Sequence, residues 1–217
     1  MRFLITAGPT REPIDPVRYL SNRSSGKMGY AIAEAAIEAG HEVVLISGPV
    51  GLGRPRGVAM ISVSTSDEMF EAVRQHTSRC DVLVMSAAVA DYKPAKVFKN
   101  KIKKGDATLS LELKPTRDIL TSLPKNRRFL VVGFAAETEN VEANARKKLH
   151  EKHCDVVVAN DVGRTDSGME SDENQVEILF LSGEIKKISR APKKIIAREL
   201  VKVFANVREK RLTKKMV

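Results

Sequence analysis

Tryptophan is absent, and three tyrosines and seven phenylalanines are the only aromatic side chains in 217 residues. So few rings leave little for the stacking platforms that hold single-stranded nucleic acid, and a nucleic-acid-binding module is disfavoured. Cysteine is as scarce. Cys80 and Cys154 cannot build the disulfide framework of a small secreted domain, so a cytoplasmic, reducing home is expected. No uninterrupted apolar run approaches the roughly 18 residues of a membrane span. The amino-terminal MRFLITAGPT carries a five-residue apolar stretch, too short for a signal-peptide core. His41, His76, His150 and His153 show no metal-ligand spacing, which argues against zinc. A G-x-S-x-G elbow, a Walker lysine loop and the G-x-G-x-x-G fingerprint are all missing.

What is present describes a globular chain. Apolar residues make up 42% and charged residues 29%, which excludes disorder as the main description. The length fits one domain. Lys and Arg number 37 against 27 Asp and Glu, a net charge of 37 − 27 = +10. From Lys186 to Val217 there are 12 Lys and Arg against Glu199 and Glu209, a local net of +10, so the rest is balanced. That segment also places Ile196, Leu200, Val203 and Val207 at intervals of four, three and four, a core-facing helical stripe. It reads as a packed amphipathic helix with a solvated basic face. The expected domain is 1–207, followed by a frayed basic tail over 208–217.

The first ninety residues alternate strand and helix. RFLIT (2–6) is a short buried strand stopped by Gly8-Pro9, and a long polar loop follows through Asn22. Gly26 to Ala39 reads as a helix with Gly40 at its carboxyl cap. VVLIS (43–47) and residues 60–63 are strands. Thr65 to Glu68 is a capping box opening a helix to about Ser78. DVLVMSA (81–87) is another buried strand. This alternation signs a doubly wound α/β fold: a Rossmann-like, mostly parallel sheet with helices on both faces. Beyond it, residues 91–105 read as a polar, basic flap, TLSLELK (108–114) as a half-exposed strand, and 117–123 as a short helix. FLVVGFA (129–135) and DVVVAN (155–160) are strands flanking a helix from Asn140 to about His153. Residues 161–174 are a loop, and 175–189 form a C-terminal β-hairpin arm turning at Ser182-Gly183.

Several segments carry chemistry. In SNRSSGKMG (21–29), Ser24, Ser25, Gly26 and Gly29 stand at a helix start, where N–H groups and hydroxyls bind a phosphate dianion; the same residues serve equally as a cap with close helix–sheet packing. Strand two ends at Ser47-Gly48 without the acid that holds an NAD ribose. Arg54 and Arg56 keep an NADP-dependent reductase as the alternative. Lys93, Lys96, Lys99, Lys101, Lys103 and Lys104 suit a polyanion such as a triphosphate, or a solvated loop. Lys148 and Lys152 share a helix face, where like charges repel unless an anion lies between them. Asp91 follows strand four at the sheet's carboxyl edge, placed for Mg²⁺, a ribose hydroxyl or a loop cap.

TAGPTREPIDPVRYLSNRSSGKMG (6–29), SAAVADYKP (86–94), NKIKK (100–104), VVGFAAET (131–138) and VANDV (158–162) together resemble phosphopantothenoylcysteine synthetase, in order and with compatible spacing over about residues 1–190. The resemblance implies a ligase of coenzyme A biosynthesis. It would activate the phosphopantothenate carboxylate with CTP and Mg²⁺ as an acyl cytidylate, release pyrophosphate, and form an amide with L-cysteine as CMP leaves. Carried over by motif, Asn22 contacts the acyl group, Arg18 is needed for turnover, and Lys101 acts from the flap in the second half-reaction. Gly8, Ser24, Gly26 and Gly29 cradle the phosphopantothenate phosphate, and Ala88 faces the intermediate. Asp91, Asp118, Ile119, Phe134, Lys148 and Lys152, with Ala88 and Lys101, belong to the nucleotide. The family's usual Asn-Pro-Asp-Ile is here Thr116-Arg117-Asp118-Ile119, a departure at the local phosphate or base contacts. The resemblance also implies a homodimer, for which the hairpin's exposed edge is the expected seam. Because the synthetase motif starts the chain, a stand-alone synthetase is expected, with a separate decarboxylase chain as a partner to consider.

Overall fold

A computed structural model describes residues 1–105, 108–161 and 171–213, with the backbone alone at Asp161. The elements in chain order are β1 (Arg2–Ala7), β2 (Arg11–Pro13), β3 (Tyr19–Ser21), α1 (Lys27–Glu38), β4 (Glu42–Ser47), β5 (Ala59–Ser62), α2 (Ser66–His76), β6 (Val82–Met85), β7 (Tyr92–Pro94), β8 (Leu113–Pro115), β9 (Leu130–Glu137), α3 (Val141–Glu151), β10 (Val156–Asp161), β11 (Glu173–Phe180), β12 (Ile185–Pro192) and α4 (Lys193–Thr213).

Eight strands form one sheet in the order β12-β11-β10-β9-β6-β1-β4-β5. The pairs from β5 through β10 are parallel, and β11 and β12 are antiparallel. Strands such as β1 are apolar on both faces because helices cover both. Phe3, Ile5 and Ala7 of β1 point to the side packed by α1 and α4, joined there by Val82, Val84, Leu130, Val132, Val156 and Val158. Leu4, Leu83, Met85, Val131 and Val157 point the other way, against Met69 and Val73 of α2 and Ala145 and Leu149 of α3. The period of two along each strand thus builds two cores from one sheet. In the capping box of α2, Thr65 Oγ1 accepts from the Glu68 N–H (3.2 Å) and Glu68 Oε2 accepts from the Thr65 N–H (3.4 Å). The stripe of α4 is buried at Ile196, Leu200, Val203 and Phe204.

The hairpin is present: β11 pairs with β10 from Val156↔Phe180 to Asn160↔Val176, and β12 is the edge at that end of the sheet. Three expectations are revised. Residues 108–112 are not a strand. They are mostly exposed, and only β8 finds a partner, in β7. Residues 117–123 form turns, fixed by Asp118 accepting from the Thr121 and Ser122 N–H groups, rather than a helix. The frayed tail expected from 208 is helical to Thr213. Arg208 is buried and pairs with Asp81 (3.4 Å), and Arg211 pairs with Asp155 (2.8 Å). Residues 214–217, most of the 161–174 loop and Val162 lie outside the described residues. The polar stretch before Asn22 also contains a small ribbon, β2 with β3. Its turn is set by Asp15 Oδ1, which accepts from the Val17 and Arg18 N–H groups. Among the described residues no helix is long and apolar enough to cross a membrane.

Candidate active site

The carboxyl ends of β1, β6, β9 and β10 open into a cleft of about 370 Å³, the place where open α/β sheets bind ligands. A second hollow of about 240 Å³ adjoins it, and the two share Ala87, Val89, Asp91, Phe134 and Lys148. A larger hollow of about 580 Å³ lies at the other end of the strands, around Phe3, His41 and Val43. It contains none of the motif residues, and burial pushes the Cys80 thiol in it up to about 12, far from a reactive thiolate.

The cleft floor is laced from backbone groups. Gly8 C=O accepts from the Ala88 N–H (2.9 Å), and Ala88 C=O accepts from the Thr10 N–H (3.2 Å). Buried Thr6 and Thr10 hydroxyls accept from the Ala87 (3.2 Å) and Ala90 (3.0 Å) N–H groups. The Asn22 side-chain amide donates to the same Ala88 carbonyl at 2.9 Å. The 86–90 segment and the 6–10 turn are therefore one rigid unit, and Asn22 stands on it at the cleft wall. Gly26 begins α1 at φ +77°, with no side chain capping the helix, and Ser24 Oγ accepts from its N–H at 3.4 Å. Gly29 lets α1 approach β1: a Cβ there would lie 2.6 Å from Ala7 Cβ. This helix start, with its small residues, lines the cleft, and helix starts of this kind suit anions.

Charge is divided along the cleft. Burial lowers the pKa of Lys148 below the ordinary lysine value, against the opposing pull of Glu137 and Asp91, and its ammonium donates to Phe134 C=O at 2.5 Å. Lys152 caps α3 and pairs with Asp118 at 2.5 Å. Burial alone would raise the Asp118 carboxyl, but the Lys152 ammonium and the Thr121 N–H hold it low, and Asp118 in turn raises Lys152. The two lysines do not confront each other across a bare helix face; each has its own oxygen acceptor, at the end of α3 where cations are favoured. At the other end of the cleft stand Lys27, paired with Asp172 at 2.7 Å, and Lys193, which is buried and lowered first by that burial and then by Lys27.

The structure brings Asn22, Ser24, Gly26, Gly29, Ala88, Asp91, Phe134 and Lys148 to the larger cleft, and Asp91, Asp118, Ile119, Phe134, Lys148 and Lys152 to the smaller one. Gly8 (φ +73°) is beneath the floor, bonded to Ala88. Arg18 and Lys101 line neither hollow. Arg18 is bound to Asp15 at 2.6 and 3.0 Å, and burial of the Asp15 carboxyl is outweighed by the Val17, Arg18 and Ile102 donors, which hold it well below the usual carboxylate range. Arg117, the departure from the family pattern, faces α2. It stacks over Phe70 at 4.0 Å and pairs with Glu71 at 3.0 Å, so its guanidinium is held against α2 while the residue lines the smaller hollow. Arg54, kept for a 2′-phosphate, donates to Val58 C=O at 2.7 Å and pins its own loop.

Sequence reasoning missed several lining residues. Asn160 and Glu137 lay inside quoted motifs without a role, and Asn160 Oδ1 is buried without a hydrogen-bond partner among the described residues. Asn174 and Lys193 carried no signal, because β11 and α4 reach the cleft only through the tertiary fold.

Residues 1–207 match the family described as the DNA/pantothenate metabolism flavoprotein C-terminal domain. The coenzyme A biosynthesis bifunctional protein CoaBC of Bacillus subtilis (strain 168) is 47% identical over 204 residues, 93% of this chain and 50% of that protein. The chain spans about half the length of the curated relatives it matches. The crystal structure of the C-terminal domain of a CoaBC protein superposes with a TM-score of 0.83 at 44% identity, covering 96% of both chains. The flavoprotein of that family from Streptococcus pneumoniae, at 24% identity and TM-score 0.81 over 95% of this chain and 99% of its own, shares the fold. With residues 1–207 matched by the family model and the fold shared, the chain belongs to the DNA/pantothenate metabolism flavoprotein C-terminal domain family.

Proposed function

We propose that the chain is the phosphopantothenate–cysteine ligase of coenzyme A biosynthesis. The observation that carries this reading is the pair of contiguous hollows meeting at Asp91, Phe134 and Lys148. Two substrates in such hollows meet at one point. The larger takes phosphopantothenate, its phosphate at Ser24, Gly26 and Gly29 and its carboxylate toward Asn22 and Ala88. The smaller takes CTP, its base against Phe134, its phosphates at Lys148 and Lys152, with Asp118 and Ile119 in the wall. A carboxylate oxygen attacks the α-phosphorus, the bond to the β-phosphate oxygen breaks, and pyrophosphate leaves. The neutral amine of L-cysteine then attacks the acyl carbon, CMP departs with the C–O electron pair, and the new amide nitrogen loses a proton. Positioning of this kind supplies about 7–11 kcal/mol, and a donor such as the Asn22 amide, aimed at the acyl oxygen, about 3–4 kcal/mol.

Mg²⁺ suits the donor set: it takes one or two carboxylates and completes its shell with phosphate oxygens and water. Asp91, at the junction of the two hollows, would hold it, and the ion would neutralise polyphosphate charge. The deciding experiment is pyrophosphate release from phosphopantothenate with each of the four nucleoside triphosphates. CTP-dependent release is expected. Silence with all four refutes the ligase reading, and equal rates with all four refute the choice of CTP.

The homodimer is proposed on a different surface from the hairpin edge. β12 carries Lys186, Lys187, Arg190 and Pro192, the charged and proline-bearing dress of an edge that resists pairing. Val17, Tyr19, Tyr92, Val97, Leu109 and Leu113 are all exposed on or beside the β2–β3 and β7–β8 ribbons, an apolar surface that a second copy would cover. A sedimentation mass near the 23.9 kDa of one chain would refute it.

A further inference from the structure

Residues 95–105, which carry Lys101, contain no buried residue. The segment has no core of its own, so hydrogen bonds must fix it. Ala95 N–H donates to Glu112 C=O at its start (2.9 Å), and among the described residues two further anchors hold it, both on the loop before β3. Phe98 N–H donates to Ile14 C=O at 2.9 Å. Four residues on, the peptide groups of Ile102 are gripped on both sides: its N–H donates to Asp15 Oδ2 (3.1 Å) and its C=O accepts from Arg18 Nη2 (2.6 Å). Asp15 is itself buried, and its two oxygens also take the Val17 and Arg18 N–H groups and the Arg18 guanidinium. Lys101 and Lys103 flank the gripped residue. Arg18 and Lys101, which the sequence presents as two separate catalytic groups, are thereby one mechanical unit held by a buried carboxylate.

We propose that Asp15 is a positioning residue that fixes the Lys101 segment, and that Arg18 acts on the reaction through its grip on Ile102 rather than by touching substrate. The claim about catalysis rests on the ligase reading; the claim about the segment does not. The decisive property is that Asp15 offers acceptors only. An asparagine in its place turns one oxygen into an N–H donor facing the Arg18 and Ile102 donors.

The test uses the full chain with Asp15→Asn and Ile102→Pro, the second removing one N–H while leaving the Asp15–Arg18 pair intact should the first fail to fold. Native-state trypsin digestion reads the segment at Lys101, Lys103 and Lys104 in Asp15→Asn, and at Lys103 and Lys104 in Ile102→Pro, because trypsin does not cut a Lys–Pro bond. Both variants should be cut there faster than wild type by about 10- to 100-fold, the range set by a hydrogen bond to a charged group. Amide formation should fall by a similar factor while pyrophosphate release is kept. Adding Lys101→Gln to Asp15→Asn should cost nothing further, because one variant already removes what the other does. Wild-type trypsin resistance in both variants, or losses that multiply in the double variant, would overturn the proposal. If wild type releases no pyrophosphate at all, the ligase reading falls with the catalytic claim, and the trypsin comparison still decides the anchoring.

Discussion

Gly29→Ala sets two magnitudes against each other. Helix propensity alone favours alanine by about 0.8–1.0 kcal/mol in a helix interior. The packing says the opposite. The added Cβ would sit 2.6 Å from Ala7 Cβ, 3.1 Å from Thr6 O and 3.2 Å from Ala7 Cα, where carbon pairs prefer about 3.5–4.0 Å. The obstructing atoms are the β1 backbone and a methyl group fixed to it, so no side chain can rotate away, and α1 must withdraw by about 1 Å. Overpacking of this kind costs about 1–3 kcal/mol. Net of propensity, a loss of up to about 2 kcal/mol is expected, or up to about 8 °C in Tm for a chain of this size. The same withdrawal carries Gly26 and Ser24 away from the cleft floor, and a misplacement of about 1 Å costs on the order of 100-fold in rate. Calorimetric melting and kcat/KM for phosphopantothenate, with the CTP affinity as internal control, check both parts. A Gly29→Ala protein more stable than wild type, with unchanged kcat/KM, would refute the close approach of α1 to β1 and the cradle built on it.

Asn22→Asp should lower ligation by at least about 10²-fold with little change in Tm, since an exposed carboxylate would replace a donor and face Ala88 C=O across 2.9 Å; wild-type turnover would remove Asn22 from the site. Lys101→Gln should spare pyrophosphate release and depress amide formation, as rapid-quench analysis of the two half-reactions would show; equal losses would contradict a role confined to the second step. Lys148 has a pKa below 10.5 through burial, and a bound polyphosphate would raise it again. Above the lowered value, nucleotide binding must take up a proton, so affinity should fall as pH rises through that window. Titration calorimetry in buffers of different ionisation enthalpy reads the uptake, and Lys148→Met should abolish it; an identical pH dependence in both proteins would assign the effect elsewhere.

The parallel sheet was readable because strands buried on both faces, such as Val82–Met85 and Leu130–Val132, must be continuously apolar. The Thr65 capping box was readable because a cap is a local contract between residues three apart. The two ribbons were not, since three-residue strands carry no period and are held by contacts such as Asp15 with its own turn. Leu109 and Leu113 imitated an alternating strand although both are exposed. In the site, the motifs and spacings singled out Asn22, Ala88, Phe134 and Lys148, which the fold gathers in one cleft. They could not show that Arg18 is bound to Asp15, nor that Asn174 and Lys193, more than a hundred residues from Asn22, complete the same wall.

The packing of α1 against α4 has a consequence for biogenesis. Arg198 reaches back to Glu38 across 160 positions of sequence, and Ile196, Leu200 and Phe204 close the core begun by Phe3, Ile5 and Ile32. A nascent chain leaving the ribosome presents that first half-core long before its lid is synthesised. That face of the sheet then stays wet until α4 has emerged, and closing it across so long a stretch of sequence adds contact order that slows folding. A ribosome stalled before α4 has left its exit tunnel would display an apolar surface that invites chaperone capture, whereas a chain whose α4 has fully emerged would display none of it.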